Sequence, residues 1–139
     1  MDELTLFGAR TLAGLLAGVY FCFAVAIMPA LHRLDDATYA RVFVHIDDVI
    51  VNPVFLVAFL GAPVGAAACL FWDHSPLTIV AAALGVVAMV VTFVGNIPLN
   101  NALADGGSRQ AFENPWLAWH AVRTVAALGS FALLCRASA

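Results

Sequence analysis

Lysine is absent from this chain, and only 11% of its 139 residues are charged. Soluble domains carry about a quarter charged residues, so this sequence lacks the means to cover a water-facing surface. Its six basic residues are all arginines, set against nine acidic ones for a formal charge of −3. No basic patch remains to hold nucleic acid. Cysteine is scarce too. Cys22, Cys69 and Cys135 are odd in number, show no C-x-x-C spacing and lie inside apolar runs. They support neither a disulfide framework nor a zinc site, and read as small buried hydrophobes. The apolar/polar alternation of half-buried strands is missing, and an open sheet cannot satisfy its backbone in lipid. A cleavable leader is not indicated either. Met1-Asp2-Glu3 is acidic where a signal peptide is basic, and the first apolar run exceeds a signal core. That run is expected to be a retained helix.

What is present is hydrophobic length: 63% of the chain is apolar. A helical span needs about 20 mostly apolar residues, and four runs qualify, at residues 11–31, 52–72, 77–98 and 116–135. The sequence predicts an all-α integral membrane four-helix bundle, one transmembrane domain filling residues 1–139. Asn52-Pro53 reads as a cap followed by proline at the first helical position. Asp73-His74-Ser75-Pro76 reads as a tight turn, and Asp105-Gly106-Gly107-Ser108 as a loop. Asn114-Pro115 is expected to restart the chain just before the fourth span. Between the first two spans, Tyr39, Val42, Phe43, Ile46 and Ile50 recur at helical spacing. An amphipathic helix is expected there, lying on the membrane interface or across the bundle mouth. Gly14/Gly18 and Gly61/Gly65 form two G-x-x-x-G pairs that let helices approach closely. Packing within the bundle suffices to explain them; a homo-oligomer is compatible but not required.

Four spans place both termini and the 73–76 turn on one side, here called side A. Side B receives both longer connections. Nearly every unusual polar residue falls toward side B: His45, Asp47, Asp48, Asn52, Asn96, Asn100, Trp116, Trp119, His120 and Arg123. Arg123 lies about 10 Å below Trp116 at ~1.5 Å per residue. An arginine at that depth costs ~1–3 kcal/mol or more unless it snorkels or finds partners. Trp116, Trp119 and His120 precede it by seven, four and three residues and share its face. Asn96 and Asn100 are one turn apart, and Pro98 between them frees a backbone carbonyl. A polar pocket beneath the side-B mouth is one reading. A belt of interfacial tryptophans, a snorkelling Arg123 and asparagines bonding between helices is the other. His32, His45, Asp47 and His120, with Asp48, form a further alternative as scattered metal ligands, without H-E-x-x-H or any repeated metal spacing. Arg33, Arg41 and Arg109 on side B outnumber Arg10 and Arg136 near side A. The positive-inside rule therefore leans toward a cytoplasmic side B, in a bacterial inner membrane.

Four segments carry a family resemblance over nearly the whole chain. Met28-Pro29-Ala30-Leu31 ends the first helix, and Asn52-Pro53-Val54-Phe55 opens the second. Asn96-Ile97-Pro98-Leu99-Asn100 ends the third, and Trp116-x-x-Trp119-His120-x-x-Arg123-Thr124 opens the fourth. In these the chain resembles the DUF1772 family of small four-helix membrane proteins, whose characterised members include anthrone oxygenases. His120 and Asp47 stand where the family pattern has asparagine. The resemblance implies oxidation of a hydrophobic anthrone or quinol by O₂ as co-substrate, with no cofactor expected. It also implies roles: Arg123 to stabilise an enolate or phenolate, His120 to accept a proton, Asn96 and Asn100 to orient oxygens, Trp116 and Trp119 to stack on rings, and Asn52 as a further substrate contact. The alternatives are a non-enzymatic subunit, small-molecule carrier or lipid-binding bundle, and a metal-dependent redox protein.

Overall fold

A computed structural model describes residues 2–138, and the regular elements among them are all helical. In chain order they are α1 (Glu3–His32), α2 (Asp36–Ile50), α3 (Pro53–Phe71), α4 (Pro76–Ala104) and α5 (Arg109–Arg136). All but α2 are long and apolar enough to cross a membrane. The chain is an all-α integral membrane bundle, as its composition demands. α1 packs against α3 and α5, and α4 against the same two, closing a four-membered ring.

The bundle is held by small residues inside, with large ones facing out. Ala9, Ala13 and Ala17 of α1 meet Ala58, Ala62 and Ala66 of α3, and Ala81, Ala82 and Ala88 of α4 lie beside Ala126 and Ala127 of α5. Phe7, Val54 and Val125 are 67%, 83% and 71% exposed. Such an outer face is stable only in lipid, and alanine seams let backbones approach where no hydrophobic drive exists between helices. Gly65 adds to this, since a Cβ there would meet the Ala9 backbone at 3.1 Å, and Gly14 faces Phe131. Those glycines serve contacts within the bundle. Cys69 is buried as expected, but Cys22 and Cys135 are exposed; their apolar surroundings are lipid-facing helix surface, which a hydropathy reading cannot separate from core.

Three of the four spans run beyond their expected limits, while α3 stays within residues 52–72, and on side B the prolines explain the extension. Pro29 and Pro98 do not end helices. Each follows a π-helical turn, Phe23–Ile27 in α1 and Thr92–Asn96 in α4. Met28 N–H reaches back to Phe23, and Ile97 N–H to Thr92. Proline lacks an N–H and its ring crowds the carbonyl four residues earlier; widening the preceding turn relieves both problems without a break. Pro115, expected to mark a restart, sits inside α5. The turns around it are held by an Arg109–Glu113 ion pair (Nε–Oε2 2.7 Å) and by burial of Phe112 and Trp116 on one face.

These extra turns build a mouth on side B, and α2 closes over it. Tyr39 and Phe43 of α2 are buried against the α5 aromatics, with Phe43 centred 4.6 Å from Phe112 and 5.4 Å from Trp116. Arg109 ties the α1–α2 connection to α5, donating to the carbonyls of Leu34 (2.8 Å) and His32 (2.9 Å) and stacking 4.3 Å above the Tyr39 ring. Of the two placements open to an amphipathic helix here, the fold adopts the one across the bundle.

Candidate functional site

α3 and α4 are in contact toward side A and part toward side B. A cavity of about 250 Å³ fills the gap. Both π turns flank it, through Phe23 on α1 and Thr92 on α4, and α2 roofs it with Phe43, Ile46 and Asp47. The exposed members of its lining, Val51, Leu56, Leu60 and Phe93, lie at the α2–α3 junction and on α3 and α4. The mouth therefore opens sideways between two spans, toward the acyl chains of the bilayer.

Arg123 stands at the inner wall, 8% exposed. Its Nε–H donates to His120 Nδ1 (3.0 Å) and an Nη1–H to Thr92 Oγ1 (3.2 Å). The guanidinium lies 4.5 Å from the Tyr20 ring centre and 5.2 Å from that of Trp116. Among the described residues no carboxylate pairs with it, and its Nη2 has no protein acceptor. Thr92 gives its own proton to the Ala88 carbonyl (2.9 Å), so Tyr20 donates its hydroxyl proton to Thr92 (3.2 Å). A full positive charge is thus held rigidly in an apolar wall with N–H groups to spare.

His120 sits behind that wall and does not line the cavity. An arginine only donates, so His120 Nδ1 is an acceptor, and the neutral ring carries its proton on Nε2. That proton goes to the Tyr20 carbonyl (2.9 Å). Trp116 stacks on the ring at 4.7 Å and 15°. Both nitrogens are engaged, and Nδ1 holds the Arg123 guanidinium.

A second chain of hydrogen bonds runs along the side-B end of the cavity, from α5 through α4 to α2. Trp116 Nε1–H donates to Asn100 Oδ1 (2.7 Å), and Asn100 Nδ2–H donates to Asp47 Oδ1 (2.9 Å). An indole can only donate and a carboxylate only accept, which fixes the amide orientation. Asp47, Asn100, Trp116, Thr92, Tyr20 and Arg123 supply the polar lining of an otherwise apolar space. Burial raises the Asp47 carboxyl above the usual carboxylate range, and Asp48 adds to this; the Asn100 bond and the Arg123 charge act the other way.

The remaining expected residues fall elsewhere. Asn96 is buried outside the cavity and donates to the Trp116 carbonyl (3.3 Å). Trp119 is 39% exposed and lies flat against Gly95, where an added Cβ would meet the indole at 2.3 Å. Asn52 is consumed as the α3 cap: its Oδ1 accepts from Val54 and Phe55 N–H (3.0 Å each), and its Nδ2 donates to the Val49 and Ile50 carbonyls. His32 bonds Glu113 (2.6 Å) on the surface, and His45 is exposed on α2. Among the described residues no three His, Cys, Asp or Glu side chains converge, so His32, His45, Asp47 and His120 do not form one centre. Tyr20 and Thr92 were missed by sequence reasoning, although a tyrosine and a threonine inside long apolar runs are its available signal.

The family model for anthrone oxygenase matches residues 39–133, from α2 to near the end of α5. No curated protein and no solved structure gave a match. The matched stretch carries Asp47, Thr92, Asn100, Trp116 and Arg123, while Tyr20 and Phe23 lie before it. With well over half its length matched, this four-span chain belongs to the anthrone oxygenase family, DUF1772.

Proposed function

We propose that this protein oxidises a membrane-soluble aromatic of the anthrone or hydroquinone type with O₂, using no bound cofactor. The observation that carries the reading is Arg123, a buried cation with no carboxylate partner among the described residues, facing an apolar cavity open to lipid. An anthrone has a methylene flanked by two rings and opposite a ketone. Losing a methylene proton leaves an electron pair delocalised onto the ketone oxygen. Preorganised donors in a water-poor site stabilise such an oxyanion far more than water does. The carbanion carbon then bonds O₂, the peroxide takes a proton, and loss of water leaves a second carbonyl. One O₂ is consumed, one oxygen atom is retained, and the other leaves as water.

Size and access support the same class. At about 250 Å³ the cavity is smaller than the ~300–1,000 Å³ of common ligand sites, which favours a compact rigid ring system over a long lipid chain. Trp116, Phe23 and Phe43 offer ring faces and edges to it. A non-enzymatic bundle would be expected to consume its polar groups between helices and pack side B solid. The spare N–H groups of Arg123 and the cavity before them favour chemistry. Oxygen uptake by purified protein in detergent, with anthrone as substrate, tests the reading. The expected result is one O₂ per quinone, well above spontaneous autoxidation. Uptake equal to the protein-free rate would leave a binding bundle as the better account. Turnover that tracks stoichiometric metal across preparations would move the reaction to a metal.

The membrane proposed is the bacterial plasma membrane, with side B toward the cytoplasm, since Arg33, Arg41 and Arg109 outnumber Arg10 and Arg136. A cysteine introduced at Asp105 in the loop after α4 should resist a membrane-impermeant maleimide in whole cells and react in inverted vesicles. The reverse pattern would turn the bundle over.

A further inference from the structure

We infer that Asp47, not His120, is the catalytic base, taking the proton from the substrate methylene while Arg123 receives the charge. The inference rests on the anthrone-type reading above and adds the group that starts the reaction.

A base must reach the cavity, keep an unoccupied lone pair and stand away from the cation that stabilises the product anion. Three titratable side chains line the cavity: Tyr20, Asp47 and Arg123. Arg123 has no lone pair to offer. The Tyr20 hydroxyl is turned to Thr92. His120 fails twice, because it lies outside the lining and Arg123 occupies its Nδ1. Asp47 meets every condition, and because it replaces the asparagine of the family pattern the assignment is made for this chain alone. Its Oδ1 is held by Asn100, which Trp116 holds in turn, and its Oδ2 accepts no hydrogen bond from the described residues. Nor is that oxygen among the buried atoms left without a partner, so it reaches open space. Asp47 and Arg123 line the same cavity without a carboxylate–guanidinium contact, so both are free to address one ligand.

The step balances simply. Asp47 takes H⁺ as the methylene C–H bond breaks, and the electron pair moves through the ring system to the ketone oxygen beside Arg123. After O₂ adds to the carbon, the Asp47 carboxyl returns its proton to the peroxide. The remaining C–H bond then breaks, its electron pair forms the new carbonyl as the O–O bond breaks, and the proton and the outer OH leave as water. Asp47 thus ends each cycle as it began. The charged groups facing it are few: Asp48 and His45 on its own helix, both exposed, and Arg123 across the cavity, with uncharged Asn100 from α4. α1 and α3 present only uncharged side chains there. The base works when ionised, so turnover should fall as pH drops through its pKa, and burial places that limb above the ordinary aspartate value of about 3.9.

Exchange of the anthrone methylene protons with D₂O, without oxygen, separates proton removal from oxidation. Wild type should accelerate exchange, and Asp47→Asn, which keeps a partner for Asn100, should lose about 100-fold or more in both exchange and O₂ uptake. Asp47→Glu should recover part of each with a shifted acid limb, and binding of a hydroxyanthraquinone to Asp47→Asn, read by tryptophan quenching, shows that the pocket is intact. His120→Asn keeps an acceptor for Arg123 Nε and should retain the acid limb at a reduced rate. Exchange by Asp47→Asn within about threefold of wild type overturns the assignment, as does loss of the acid limb in His120→Asn alone. Asp47-dependent exchange without O₂ uptake would uphold the base and overturn the oxidation. Wild type inert in both assays would overturn both.

Discussion

Replacing Arg123 with methionine is expected to leave the bundle at least as stable as wild type while cutting turnover by about 10²–10³-fold. The two effects separate because they come from different properties of one side chain. Removing the charge relieves a desolvation penalty of several kcal/mol, since no carboxylate offsets it. Against this, His120 Nδ1 loses its donor, at roughly 1–3 kcal/mol, while Thr92 Oγ1 keeps the Tyr20 proton. Methionine fills much of the same volume between Tyr20 and Trp116, and its thioether sits well against aromatic rings. For catalysis nothing compensates, because no other cation among the described residues lines the cavity. Thermal unfolding in detergent and O₂ uptake read the two effects independently. A fall in stability with unchanged turnover would make Arg123 a strut and remove it from the chemistry. Arg123→Lys should fall between, since an ammonium keeps the charge but lacks the planar fork that bonds His120 and Thr92 together.

How far the sequence alone reached can be read from the same residue. Arg123 was visible because charge in an apolar run is costly wherever it points. Helical spacing also put Trp116 and His120 on its face, as found. Spacing could not say that Arg123 would take the Nδ1 lone pair and leave His120 without a free ring nitrogen. Asn100 shows the next limit. Its partner Asp47 lies 53 residues away, and no local pattern joins the end of one span to a helix two elements earlier. In sequence alone Asp47 therefore stands as one side-B polar residue among several, a scattered metal ligand and a departure from the family's asparagine, with no link to Asn100. Prolines mislead in the opposite direction. Pro29, Pro98 and Pro115 looked like boundaries, but two are absorbed by π turns and one by flanking packing. The π turns matter because they set Phe23 and Thr92 beside the cavity. Hydropathy fixed how many helices cross the membrane; only tertiary contacts decide how far each continues past its apolar run.

Gly95→Ala is expected to destabilise the bundle by about 1–3 kcal/mol and to lower turnover more than tenfold, although Gly95 does not line the cavity. Its added Cβ would lie 2.3 Å from Trp119 Cδ2 and 2.4 Å from Cγ. The obstacle is a rigid bicyclic ring seated between α4 and α5, so the helices must part or the indole must leave its seat. Either movement displaces the Thr92–Asn96 turn, and with it the Thr92 hydroxyl that holds Arg123. Removing the ring tests the cause. If the collision is responsible, Gly95→Ala with Trp119→Ala should be more stable than Gly95→Ala alone, with a coupling energy of roughly 0.5–3 kcal/mol. Simple additivity would place the defect in the π turn itself. Turnover of Trp119→Ala alone then decides what the tryptophan is for. A ring that stacks on substrate should show its loss mainly in KM. A ring that stacks on the Gly95 backbone should show it in stability and, through Thr92 and Arg123, in kcat. The second outcome is expected, since the face that sequence reasoning assigned to a substrate is already covered by α4.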